Sequence, residues 1–409
     1  LSVQEMVFQV VVEVDKRYRY ASNKNFNTWL ATACQDGAGI AHGLCEALVS
    51  DITTTEEQVQ AYLDQETLAG NSTSGRMAAR IAKYVPKWTA PAGEQVALAA
   101  ALTELRQVAL DSPVEKFGAG RLRGTLAGSP VWRGLGPDFW QLRSWALLPT
   151  AALEELSQLL SNILETLQWP QQCLTSFMGA IPKPGSAGER LIALTCSLYK
   201  LLLMLLGHGQ AAWQESFVQF WDAAVKGSSP LQAALRRALQ SEISVSLGLD
   251  SIGIFWDVDS FFDSILLSKL VPLALKAGFP ARMLDLAMSV HSGCRRIKDR
   301  RAISEPLFPQ GCSILAGCTT SVDLSRCLLF DVLDHYHRAY RPSEISTWID
   351  DLAQMMHGAG AAIVPLATRG ALYLRQGLAD LGLSVSDKTV ISASKMPLAI
   401  DVQQQLAIE

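Results

Sequence analysis

Two apolar runs in this chain, SIGIFWD at 251–257 and EISTWIDD at 344–351, each end in aspartate. No other feature restricts the fold as much. Short apolar runs rich in β-branched and aromatic residues read as buried strands, and a carboxylate delivered at a strand tip needs a reason to be there. The first run predicts a strand over about 252–258, and EISTWIDDLAQMMHG predicts strand, turn, strand. Two such strands can lie adjacent and antiparallel, bringing Asp257 and Asp350 to neighbouring ends. Carboxylates held that close repel, and one takes up a proton unless a cation neutralises them. Two Mg²⁺ ions would do so, one activating an attacking hydroxyl and the other stabilising a leaving pyrophosphate. An exposed turn at Asp350–Asp351 and a helix cap at Asp263 are the plainer readings of the same residues.

The rest of the chain narrows the choice. With 409 residues there is room for two or three domains, and an apolar fraction of 49% excludes global disorder. The net charge of −4 gives no whole-protein basic footprint for nucleic acid. Local charge differs: RRIKDRR at 295–301 carries five bases against one acid, and DKRYRY at 15–20 mixes bases with aromatics. Each reads either as a solvated loop or as a contact for a polyanion. The eight cysteines form no CxxC pair, which suits reduced, buried thiols in an intracellular protein. VFQVVVEV follows no basic segment and makes a poor signal peptide. LYKLLLMLLG falls short of the ~20 apolar residues a spanning helix needs, so no membrane contact is expected. Leu1 in first place reads as the start of an excerpt from a longer chain.

Residues 1–111 read as a helical N-terminal region, with TEEQVQAYLDQETLAG and EQVALAAALTELRQVAL as its clearest helices. Glycine and proline over 112–148 predict a linker. Residues 149–250 begin with a helix after Pro149 whose stripe is Leu153, Leu156, Leu159, Leu160 and Ile163, followed by two extended runs around a Pro/Gly/Ser loop. In 251–409, SFFDSILLSKLVPLALKAG predicts one helix kinked at Pro272, 285–308 contains a hairpin around the basic cluster, and SILAGCTTSVDLSRCLLFDVLDHYHRAY predicts one long helix. Another helix and a turn-and-strand, VSDKTVISAS, follow. Strands and helices interleave without a βαβ rhythm, which predicts an α+β fold.

Taken in order, these segments resemble the reverse transcriptase domain of non-LTR retrotransposons and group II introns. The likeness runs over about 173–400, through IPKPGSAGERLIAL, WDVDSFFD, FPQGCSILAG, WIDDL and GLSVSDKT. It implies a right-hand polymerase: fingers over 149–250, a palm with an antiparallel sheet over 251–409, and a thumb largely absent. It implies Asp257, Asp350 and Asp351 as ligands of two Mg²⁺ ions, with Mn²⁺ as a substitute, and Lys388 as the acid for pyrophosphate. Lys183 and Arg190 would grip the triphosphate. Phe262 would lie under the sugar and exclude a 2′-hydroxyl. Gln310 and Gly311 would open the helix that holds template and incoming nucleotide. The implied partners are an RNA template, a DNA primer and deoxynucleoside triphosphates, and the implied location is the nucleus. Departures from the family pattern are Trp348 and Ile349 before the aspartate pair, and Cys312 where serine is usual. Two other readings stay open: an RNA-dependent RNA polymerase, which Phe262 disfavours, and a decayed or domesticated element that binds nucleic acid or a partner without polymerising.

Overall fold

The computed structural model describes residues 73–130, 134–182, 188–299, 302–341 and 343–408. The helix expected in TEEQVQAYLDQETLAG at 55–70, the DKRYRY run and Lys183 lie outside the described residues. In chain order the main elements are α1 (Thr73–Tyr84), α2 (Ala92–Asp111), α3 (Ala119–Ala127), α4 (Thr150–Thr166), β1 (Thr175–Pro182), β2 (Glu189–Leu194), α5 (Ser197–Leu205), α6 (Gly207–Phe217), α7 (Pro230–Ser246) and β3 (Asp250–Trp256). Then come α8 (Leu267–Lys276), α9 (Ala281–His291), β4 (Cys294–Asp299), β5 (Ala302–Ile303), α10 (Ser321–Ala339), β6 (Glu344–Trp348), β7 (Asp351–Gly358), α11 (Val364–Asp380), β8 (Val390–Ala393) and α12 (Met396–Ile408). The fold is mixed, with two four-stranded sheets, in keeping with the α+β expectation. No helix among the described residues is long and apolar enough to cross a membrane.

Two compact units interleave along the chain. The first holds the described residues of 73–217 and 262–328 and the sheet ordered β2-β1-β4-β5. Its helical core packs α2 against α8 and α9. Arg282 on α9 ties this core together. Its guanidinium donates to Leu110 O at 2.9 Å, Ser112 O at 2.7 Å and Leu164 O at 2.6 Å, the carbonyls that end α2 and α4. Helix C-termini expose unpaired, partly negative carbonyls, so a buried fork of donors suits them.

Several sequence expectations change here. The 112–148 stretch is not a plain linker: it contains α3, with Gly118 and Gly128 as caps and Leu122 and Leu126 fully buried. Its glycines punctuate a helix whose two leucines, one turn apart, pack on α4 and α5. On α4, Leu153, Leu160 and Ile163 are buried as expected, but Leu164 takes the place of the exposed Leu159. The helix expected over 260–278 breaks at Ile265–Leu266 rather than at Pro272. There the backbone turns to the 311–314 segment, Ile265 O accepting from Ser313 N at 2.8 Å and Leu267 N donating to Gly311 O at 3.1 Å. The long helix expected from Ser313 begins only at Ser321.

The basic cluster also departs from a uniformly solvated stripe. Arg295 is 0% exposed and lies over the Trp88 ring at 4.5 Å. It donates to Ser313 Oγ at 2.8 Å and to His291 O at 3.1 Å. Burial pulls its pKa down to about 10, which leaves it charged at neutral pH. Trp88 in turn donates to Asp263 Oδ1 at 2.8 Å. Cys173, Cys196, Cys294, Cys312, Cys318 and Cys327 are free thiols.

The second unit holds the described residues of 218–261 and 329–408 and the sheet ordered β6-β7-β3-β8, antiparallel throughout. Gln354 of β7 donates to Ala367 O of α11 at 2.8 Å, so α11 covers the face bearing Ile252, Ile254 and Trp256. On the other face, Ser241 of α7 bonds Ser251 at 2.7 Å. The edge strand β6 is closed by the 221–223 segment, through Thr347 N to Trp221 O at 2.8 Å and Ala223 N to Thr347 O at 2.8 Å. Covering an edge in this way removes a row of open backbone groups.

Candidate functional site

The four candidates of the second unit meet at one end of its sheet. In the β3–β7 ladder Trp256 stands opposite Leu352. Asp257 follows Trp256 and Asp351 precedes Leu352, so the two carboxylates belong to facing positions. Burial keeps the alternation past the strand end: Trp256 and Val258 are buried, whereas Asp257 is not. Both aspartates therefore fall on the face of Phe255 and α7.

Asp350 sits in the turn beside them. Trp348 pairs with Asp351, leaving Ile349–Asp350 as a two-residue hairpin loop. Ile349 has φ 62° while Asp350 is not in the positive-φ region, the pattern of a type II′ turn, whose first central position favours glycine. A β-branched residue there is strained. Such strain persists only where the surroundings impose it, and it gathers at functional sites. Replacing Ile349 by Gly is expected to give a protein about 1 kcal/mol more stable than replacing it by Ala. This reverses the usual order for the two residues, and urea unfolding of both variants measures it. An Ala variant as stable as the Gly variant would show that the turn is not strained.

Lys388 reaches the same end through the turn before β8. Asp257 O accepts from Ser386 N at 2.7 Å, and Asp257 N donates to Thr389 Oγ1 at 3.2 Å. The Lys388-bearing turn thus holds the Asp257 backbone on both sides. Sequence reasoning missed a second cation, Arg237 of α7. It donates to Ser346 Oγ at 3.3 Å on the Asp351 face of the sheet. Burial lowers its pKa, and the charge of Asp351 opposes that shift, so the two groups feel each other. Nothing in RRAL at 236–239 marks it out; its position depends on how α7 lies on the sheet.

Mg²⁺ is held by one or two carboxylates with water and substrate phosphates, not by an all-protein cage. The facing pair Asp257 and Asp351 offers that donor set, and Asp350 adds a third carboxylate to the same end. Among the described residues no three His, Cys, Asp or Glu side chains gather into a group that could hold a metal ion, so Asp257, Asp350 and Asp351 share one end of the sheet without forming such a group.

The other described candidates belong to the first unit. Arg190 is exposed on β2 opposite Ile181. Phe262 lies in a single helical turn, Phe261–Ser264, and its carbonyl accepts from Ile314 N at 2.9 Å. Gln310 and Gly311 do not open a helix. They form isolated bridges with Thr89, with Ala90 N donating to Gln310 O at 2.8 Å and Gln310 N to Trp88 O at 2.7 Å. Gly311 has φ 76°, and a Cβ there would stand 3.4 Å from Ala90 Cβ. Its positive φ, not steric closeness or a helix N-terminus, is what favours glycine here. The neighbouring Cys312 is buried, which pushes its thiol pKa up to about 11.

No protein-family model matches this chain, and no curated protein matches it in sequence.

Proposed function

We propose that the chain is an RNA-directed DNA polymerase, with the β6-β7-β3-β8 sheet as its palm and the first unit supplying the fingers. The observation that supports this reading is the register that sets Asp257 opposite Asp351, with Asp350 in the adjoining turn. Surface turns have no need of facing carboxylates on neighbouring strands, since like charges opposite each other cost stability. Bound Mg²⁺ would supply activation of the primer 3′-hydroxyl and charge neutralisation at the leaving pyrophosphate. Asp257, Asp350 and Asp351 would hold the ions. Lys388 delivers a proton to the pyrophosphate oxygen. Lys183 and Arg190 bind the triphosphate, and Phe262 excludes the 2′-hydroxyl.

Primer extension tests this directly. The full chain is given an annealed RNA template and DNA primer with Mg²⁺ and either deoxy- or ribonucleotides. Extension with deoxynucleotides alone is the expected result. Extension with ribonucleotides would make the chain an RNA polymerase, and none with either would favour an element that binds without polymerising. Replacing Phe262 by Ala is expected to admit ribonucleotides, narrowing the discrimination at least about ten-fold. Unchanged discrimination would remove Phe262 from the role of sugar gate.

A further inference from the structure

The basic cluster RRIKDRR is used by neither the aspartate site nor the polymerase reading. Its strand, β4, sorts charge by face. β1 is central, with β2 antiparallel on one side and β4 parallel on the other. Arg190 stands opposite Ile181, Lys298 opposite Gly179, and Arg296 opposite Phe177. Since Phe177, Gly179 and Ile181 point one way, the three cations share a face. The acids of these strands take the opposite one. Glu189 faces Pro182, and Asp299 alternates away from Lys298. There α1 neutralises both: Arg80 lies 3.0 Å from Glu189 and 3.1 Å from Asp299, and Arg76 lies 3.0 Å from Asp299.

Burial follows the same division. Arg295, Ile297 and Asp299 are buried, Arg296 and Lys298 half-buried, and Arg190 exposed. Among the described residues the side chains of Arg190 and Lys298 form no ion pair or hydrogen bond, and that of Arg296 donates only to Ser304 O at 3.3 Å. Glu305, exposed beyond β5, forms no ion pair with Arg296. Gly179 leaves a gap at the centre of the row, where a Cβ would meet only Ile192 O at 3.8 Å.

An aromatic ledge lies at the Phe177 end. The Phe139 ring sits 5.7 Å from that of Phe177 and is 59% exposed, beside Trp140 at 57%. Phe139 has φ 55°, a strained backbone that holds a ring out in solvent.

We propose that this face binds a single strand of nucleic acid, with phosphates on Lys298 and Arg296 and bases stacked at Phe139 and Trp140. A cationic track beside exposed rings is how proteins grip single strands without reading sequence. Arg296 and Lys298, two residues apart on one strand, stand about 6.6 Å apart and can contact successive parts of one backbone. The acidic total charge is no obstacle, because the acids of the four strands are turned away and neutralised. The inference goes beyond the polymerase reading: a chain that binds without polymerising would use the same face.

The test is fluorescence anisotropy with the full chain and a labelled oligouridine of about 16 nucleotides, across roughly 50–200 mM salt. The R296Q/K298Q variant is expected to bind on the order of ten-fold more weakly, with the log–log salt slope reduced by about 1.4. The F139A variant is expected to lose about ten-fold in affinity with the slope unchanged. If the double variant melts early, K298Q alone is expected to reduce the slope by about 0.7. Wild-type affinity and slope in these variants would overturn the proposal. So would a wild-type chain that ignores the oligonucleotide, including one that instead binds vesicles of anionic phospholipid. Binding with these signatures but no primer extension would keep the face and sink the polymerase.

Discussion

Replacing Asp257 by Asn is expected to lower primer extension by more than ~10³-fold while leaving the protein folded. A metal-bound carboxylate is worth several kcal/mol of charge stabilisation in the transition state, and each 1.36 kcal/mol is about ten-fold in rate. Asn keeps the shape but loses the charge that holds a divalent cation. Stability should stay the same or rise by up to about 1 kcal/mol, because facing like charges are relieved. That asymmetry separates chemistry from folding. Asp351→Asn should behave alike, since its position faces Asp257 in the ladder. Steady-state extension beside a thermal melt makes the measurement. An Asp257→Asn enzyme within ten-fold of wild type would remove Asp257 from the metal site.

Replacing Arg282 by Ala is expected to be the most damaging single change away from the aspartates, costing about 3–5 kcal/mol. Five hydrogen bonds from its three nitrogens reach the carbonyls of Leu110, Ser112, Pro113 and Leu164, and the side chain is almost wholly buried. Its loss leaves carbonyls at the ends of two helices without partners, each costing about 1–3 kcal/mol. Arg282→Lys should recover part of the loss. A single ammonium keeps the charge but cannot reach both helix ends as a planar fork does. Equilibrium unfolding in urea, followed by helical circular dichroism, reads the difference. A loss under 1 kcal/mol for Arg282→Ala would mean that water or neighbouring donors replace the fork.

The aspartate site was legible in part because its signals are local. Apolar runs ending in Asp257 and Asp350–Asp351 are visible in one sequence, and so is the hairpin between β6 and β7. The strain at Ile349 was half visible: the residue stood out as bulky, but its positive φ follows from the two-residue loop. Arg237 was invisible, since an arginine on an amphipathic helix has no mark of which sheet it will meet. Gln310 and Gly311 were placed at a helix start because a Pro-Gln-Gly run before apolar residues suggests one. Pairing with Thr89 and Ala90, more than 200 positions earlier, claimed their backbone groups first.

The same contrast holds across the molecule. Periodicity alone determined α2, α4, the β1–β2 and β6–β7 hairpins and the mixed class of the fold, because local propensity and tertiary packing agree there. Tertiary structure decided everything that rests on which distant segment arrives. It turned the glycines of 112–128 into helix caps, broke the helix at Ile265 and delayed the next to Ser321. It also divided RRIKD into a buried Arg295 and an outward Arg296 and Lys298. A strand's two faces are fixed by a period of two, but only its neighbours decide which face is the core.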